Sequence, residues 1–486
     1  ATIVVVVAVA LIAYGIYAAY GALVYATPVL GGMIADRIIG YRKSIMLGAV
    51  LMALGHFAMA IQTDMAFYGA LGLLIVGNGF FKPNISTMVG TLYEEGDPRR
   101  DGGFTIFYMG INIGAMLSPL VCGWLGYTYG WHYGFGAAGI GMLGGLFVFW
   151  RGLQTNVLGD RGFQPKKFLE AKYLGFNFLK KKFIGFNIDK IVYVLAFLSV
   201  PVFAFLILQN HIMTTVMLAL LGVILIILTF LCFQVTKIER ERLFVIVILT
   251  FFLTVFWAFF EQAGSSLTLF AERNVNLSFL NAAQTNSINP AYIIILAVPF
   301  SMMWLYFSKF RMNPSTPIKF SMGIAQLGLG FLFFGYSAQF MDADGKVPFI
   351  FLMIGYFFIT TGELFVSPIG LSKTTELSPK KIAAFMMGVF FLSSAFAHHI
   401  AGSIAKLTTT AGSSEISNAD PGGFMNSIVE AVTGFKNGVT DSTVEAIQSL
   451  AIYTSVFTQI AVISFGFAFL ALILTPLIKK WMHGIH

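Results

Sequence analysis

Three ionisable residues stand inside apolar runs long enough to cross a membrane. Lys82 lies in Gly77-Asn-Gly-Phe-Phe-Lys82-Pro-Asn84, Glu261 in Phe256-Trp257-Ala-Phe-Phe-Glu261-Gln262, and Glu363 in Thr361-Gly-Glu363-Leu-Phe-Val-Ser367-Pro368. A charge at the centre of a membrane helix costs about 2.5–3.5 kcal/mol on insertion scales, so each is expected to face the protein interior and to have a role. A lysine and a glutamate on separate segments can grip the two ends of a zwitterion. Glu261 has no Lys or Arg nearby on its own helix to neutralise it, which favours a functional role over a structural ion pair. The bland alternative for Lys82 and Glu363 is a structural ion pair. Pro83 and Pro368 follow these charges closely. Proline frees a carbonyl and kinks a helix, and interrupted helices are common where transporters bind cargo.

Weaker signals accompany these. Tyr108 and Asn112, in a Gly-rich run over 104–119, are four apart and share a helix face. The plain reading is a glycine-packed helix with one interhelical amide. Asn289, before Pro290, reads equally as a helix cap. His56, His398 and His399 could titrate, but the sequence assigns them to packing. Cys122 and Cys232 sit in apolar runs with no pairing or metal-binding pattern, and no cofactor is implied.

The elements that must position these residues are membrane helices. Hydrophobic residues make up 57% of 486 and charged residues 11%, with a mean hydropathy of +0.81. Soluble chains carry about 25% charged residues. Spans are expected near 3–34, 44–62, 66–92, 104–127, 132–151, 189–208, 211–234, 243–271, 288–308, 317–339, 347–371, 383–408 and 449–479, thirteen in all. Alternate loops hold the basic residues, most densely over 151–182, while the others are nearly bare. Basic loops stay in the cytoplasm, which puts the C-terminus inside and accounts for the net charge of +8 without nucleic acid. The same count puts Ala1 outside, so a preceding helix is expected to be missing, and restoring it gives fourteen. Three segments are expected: a helical bundle over 1–151, linkers with an inserted helix hairpin over 152–242, and a six-helix bundle over 243–486. The stretch Lys237–Arg242 reads as linker.

The loop over 32–43 reads Gly32-Met-Ile-Ala-Asp36-Arg37-Ile-Ile-Gly40-Tyr-Arg42-Lys43. It resembles the signature loop of the major facilitator superfamily, which follows the second helix there. The runs around Lys82, Tyr108–Gly114, Glu261 and Glu363 together resemble the proton-dependent oligopeptide transporter (POT) family, over nearly the whole chain. That resemblance implies an all-α membrane protein of the major facilitator fold, two six-helix bundles plus a two-helix hairpin. It implies a proton-coupled symporter of di- and tripeptides in a bacterial inner membrane, not an enzyme. By the resemblance, the peptide carboxylate lies near Lys82 and its amine near Asn112, Asn289 and Glu363. Tyr25, Tyr108, Trp257 and Ser367 line the cavity, and Glu261 serves proton coupling. There are two departures: no E-x-x-E-R-F motif is present, and Phe390 stands where many members have Trp.

A peptide carrier that accepts many sequences must hold what all peptides share, the charged termini and the backbone, within an adaptable lining. Another solute, a drug or nitrate, is the alternative within the same fold; nitrate favours His or Arg over a Lys/Glu pair. Clustered nucleophile and base for an enzyme, and rings of like residues for a channel, are not found. Oligomeric state is not legible.

Overall fold

A computed structural model describes residues 2–93, 100–163, 182–183, 186–379, 383–408, 422–435 and 444–485. The whole of the basic segment 164–181 and most of the polar gap 409–443 therefore lie outside the described residues, as do Arg99, Lys380 and Lys381 and the side chain of Arg37.

Helices follow the apolar runs because a backbone in hydrocarbon must satisfy its own hydrogen bonds. In chain order they are α1 (Thr2–Ile34), α2 (Gly40–Met59), α3 (Asp64–Thr91), α4 (Arg100–Tyr129), α5 (Trp131–Gln154), α6 (Ile188–Leu208), α7 (Met213–Gln234), α8 (Lys237–Phe260), α9 (Ser266–Asn274), α10 (Ile288–Lys309), α11 (Thr316–Tyr336), α12 (Phe349–Leu377), α13 (Ala383–Leu407), α14 (Gly422–Thr433) and α15 (Glu445–Trp481). A two-residue hairpin pairs Lys182–Phe183 with Phe186–Asn187. Among the described residues, twelve helical segments are long and apolar enough to cross a membrane. The expected span over 44–62 forms α2 but falls outside that set, because Arg42, Lys43 and His56 dilute its apolar run.

Two expectations change. Lys237–Arg242 is not linker but the first turns of α8, nucleated by a capping box in which Thr236 and Glu239 satisfy each other's backbone N–H groups. The span expected over 243–271 breaks at Glu261 into a 3-10 turn, Glu261–Gly264, before α9. Helices α3 and α12, in contrast, run through Pro83 and Pro368.

The chain folds as two compact units, one of Ala1–Ala18, Ala115–Pro119 and Met213–His486, the other of Ala19–Gly114 and Leu120–Ile212. In the second unit, Ile39, Leu51, Val76, Phe80, Val192 and Ala196 form a buried cluster that joins α2, α3 and α6. In the first, α11 packs on α12 and α15 around Phe331, Phe334 and Phe457, whose rings lie 5.6–5.8 Å apart. Large apolar side chains such as Val148, Ile226 and Phe233 stay exposed, as a hydrocarbon solvent allows.

Candidate functional site

In the smaller unit the site is built on the α1–α3 contact. Gly31 and Gly79 bring the two backbones so close that a Cβ on Gly31 would collide with the Gly79 carbonyl. Thr27 then donates to the Ile75 carbonyl (3.0 Å), Asn78 to the Val24 carbonyl (2.9 Å), and Asn84 to the carbonyls of Gly31 (3.4 Å) and Phe80 (2.8 Å). The glycines and asparagines flanking Lys82 thus dock the helix that carries it. Lys82 itself is exposed, and its ammonium stands 3.9 Å above the Tyr25 ring. That face attracts a cation through its quadrupole. On α4, the Asn112 amide donates to the Tyr108 carbonyl at 3.0 Å; Asn112 is buried and Tyr108 exposed.

The signature loop forms one π-helical turn, Ala35–Ile39, ended by Gly40 at φ 78°, a conformation that favours glycine. Gly32 packs beside Pro83. Asp36 accepts from the Tyr41 hydroxyl at 2.7 Å. Burial and the Asp36 carboxylate push that hydroxyl well above its usual range, so it stays a donor. Arg42 donates to the carbonyls of Arg161 (2.6 Å) and Gly159, takes the Gly162 carbonyl on its backbone N–H (3.1 Å), and lies 3.9 Å over Phe163. Arg161 in turn donates to the Thr91 carbonyl at 2.7 Å. Lys43 pairs with Asp189 at the start of α6. The loop therefore clamps the chain that leaves α5.

In the larger unit, Glu363 is buried at 7% exposure on α12. Asn289 is not a cap: its amide donates to Glu363 (3.0 Å) and to the Thr360 hydroxyl (2.9 Å). A buried carboxylate without such donors is strongly penalised, so Asn289 also fixes where the charge sits. Ser367 is half-buried one turn further along α12. Trp257 packs edge-to-face on Phe260, 4.8 Å between centroids.

Glu261 closes α8, and its carboxylate lies 3.2 Å from His398 on α13. The neighbouring Gln262, fully buried, donates to the Ala258 (3.3 Å) and Ala401 (3.0 Å) carbonyls and accepts from Ser266 (2.7 Å). It staples the helix break to α13. Sequence reasoning missed His398. The one signal in the chain is a histidine within an apolar run, which fits a packing role equally well. A separate cavity of about 690 Å³ is lined by Lys319, Lys373 and Lys479, and neither Glu261 nor Glu363 lines it.

Fold and site define a multi-span helical carrier of the major facilitator type, with ionisable groups placed inside its spans. The sequence profile of the POT family matches residues 42–420, and the chain belongs to that family. It is 35% identical over 400 residues to a peptide transporter, YePEPT, of Yersinia enterocolitica, covering 78% of this chain and 76% of that one. It is 33% identical over 409 residues to a di-/tripeptide transporter of Lactococcus lactis, covering 81% and 80%. Among solved structures, that of peptide transporter POT in complex with sulfate superposes with a TM-score of 0.74 at 30% identity, over 98% of this chain and 88% of that one.

Proposed function

We propose that this chain imports di- and tripeptides in symport with protons, by alternating access, in the inner membrane of a bacterium. Lys82 takes the peptide carboxylate. Glu363, Asn289 and Asn112 take the amine. Tyr25, Tyr108, Trp257 and Ser367 line the passage, and Glu261 carries the proton. The observation that carries the reading is the Glu363 carboxyl group, buried inside a membrane span and held by the Asn289 amide. Relatives that transport peptides support the substrate class. The basic ends of alternate loops support a cytoplasmic C-terminus, and the loop over 32–43 suits a role in the conformational change.

The test is uptake of a labelled dipeptide into proteoliposomes. An acid-outside pH gradient should drive accumulation above the external concentration, and a protonophore should abolish it. Failure to take up any dipeptide, with uptake of nitrate or a drug instead, overturns the reading.

A further inference from the structure

We infer that His398 and Glu261 hold the coupled proton as one unit, so that the histidine helps set the pH at which the carrier loads. This deepens the reading above and rests on it.

The geometry fixes the tautomer. His398 Nδ1 lies 2.9 Å from the Ser394 carbonyl oxygen. A carbonyl only accepts, so Nδ1 keeps its hydrogen in either charge state of the ring. Nε2 faces Glu261 Oε2 at 3.2 Å, in a site where the two side chains are 7% and 16% exposed. One proton in that gap gives either imidazolium against carboxylate or neutral imidazole accepting from a carboxylic acid. Both arrangements are neutral overall. Removing the proton leaves a lone pair facing a carboxylate, with a net charge of −1. Two acceptors then meet across the gap, and the contact that joined them becomes repulsive.

This contact spans a helix break. Glu261 sits where α8 gives way to the 3-10 turn, and Gln262 bonds that turn to Ala401 on α13. Gly264, in the same turn, leaves room for Tyr17 of α1, whose ring lies 6.4 Å from that of His398. Loss of the proton therefore loosens α13 from a segment that is already non-helical, the kind of local charge change that biases a conformational step.

Among the described residues, the other ionisable groups on the elements packed around the pair can be named. They include Tyr14 and Tyr17 on α1, Glu272 and Arg273 on α9, Tyr356 and Glu363 on α12, Tyr453 on α15, and His399 and Lys406 on α13 itself. His399 turns away, toward the Thr214 hydroxyl on α7 at 3.1 Å. Glu363 lies within electrostatic reach of Glu261. The charged residues of 237–242 and 373–376 stand at the far ends of α8 and α12.

The experiment uses the full chain in proteoliposomes with a labelled dipeptide, reading gradient-driven accumulation, peptide-for-peptide exchange and the pH profile of initial uptake. His398→Gln presents an amide N–H to Glu261 but takes up no proton. His398→Asn keeps a donor for the Ser394 carbonyl and withdraws from Glu261. Both variants should lose accumulation while exchange persists, and the pH midpoint of uptake by His398→Gln should fall by about one unit. Adding His398→Gln to Glu261→Gln should worsen coupling no further, because the pair acts as a unit. A wild-type midpoint and full accumulation in His398→Gln overturn the inference. So does loss of exchange together with accumulation in both variants, the mark of a structural role. A wild-type protein that exchanges peptide but never accumulates it defeats the function itself, and this inference falls with it.

Discussion

The Lys82 ammonium on α3 rests 3.9 Å from the ring centre of Tyr25 on α1, two helices locked together by the Gly31–Gly79 approach. The lysine is thus aimed by an aromatic face on the neighbouring helix. Lys82→Ala should reduce uptake by at least about 30-fold, the effect of losing roughly 2 kcal/mol or more from a charged contact. Tyr25→Leu removes only the ring, so it should raise the apparent KM by about threefold, and Tyr25→Phe should change it less. Dipeptide uptake over a concentration series separates the three. Equal losses in Tyr25→Leu and Tyr25→Phe would show that the ring face does not matter.

Asn289 should act through Glu363. Asn289→Ala removes a donor to a buried carboxylate and should weaken peptide binding by about tenfold or more. Asn289→Asp sets a second acid beside Glu363 and should be worse at neutral pH, recovering as acidification protonates the pair. Competition binding by the purified variants checks the order. An Asn289→Asp variant as good as wild type at neutral pH would sever Asn289 from Glu363.

Glu261→Gln should keep the shape of the site and fix it in a form that cannot release a proton. Accumulation against a gradient should vanish, while exchange survives in part and binding weakens little. If the variant still concentrates peptide, Glu261 is not essential for coupling.

Arg42 tests the clamp. Lysine keeps the charge but not the planar fork that reaches the Gly159 and Arg161 carbonyls together. Arg42→Lys and Arg42→Ala should both expose the segment 155–163, raising its cleavage by trypsin by about tenfold for each 1.4 kcal/mol lost. Peptide affinity should stay as it was while turnover falls. Unchanged cleavage in both variants would remove the clamp from the account.

Orientation is checked by labelling. With Cys122 and Cys232, neither of which forms a disulfide, replaced, a cysteine at 157 should label only from the cytoplasm and one at 342 only from outside. Labelling of both from the same side would invalidate the topology read from the basic loops.

The spans were legible because hydrocarbon demands continuous apolar runs, and each expected one contains a helix. The break after Glu261 was not, since Phe256–Phe260 reads as uninterrupted helix and only the small residues at 263–266 hint otherwise. Among site residues, Lys82 and Glu363 stood out by charge alone. Asn289 was ambiguous because a cap and a carboxylate donor use the same side chain before the same proline. His398 was invisible as a partner: its pairing with Glu261 depends on the packing of α13 against α8, which no local pattern encodes.

The Arg42 clamp also sets a clock on biosynthesis. Its acceptor at Arg161 lies 119 residues further along the chain, so at about 5–20 residues per second it leaves the ribosome roughly 6–24 seconds after Arg42. Through that interval α2 to α5 are laid into the membrane while the guanidinium waits, hydrated, at the surface. The bond to the Arg161 carbonyl can close only when the last of them has emerged, which makes this arginine a mark of completion for the first helices rather than a nucleus for them.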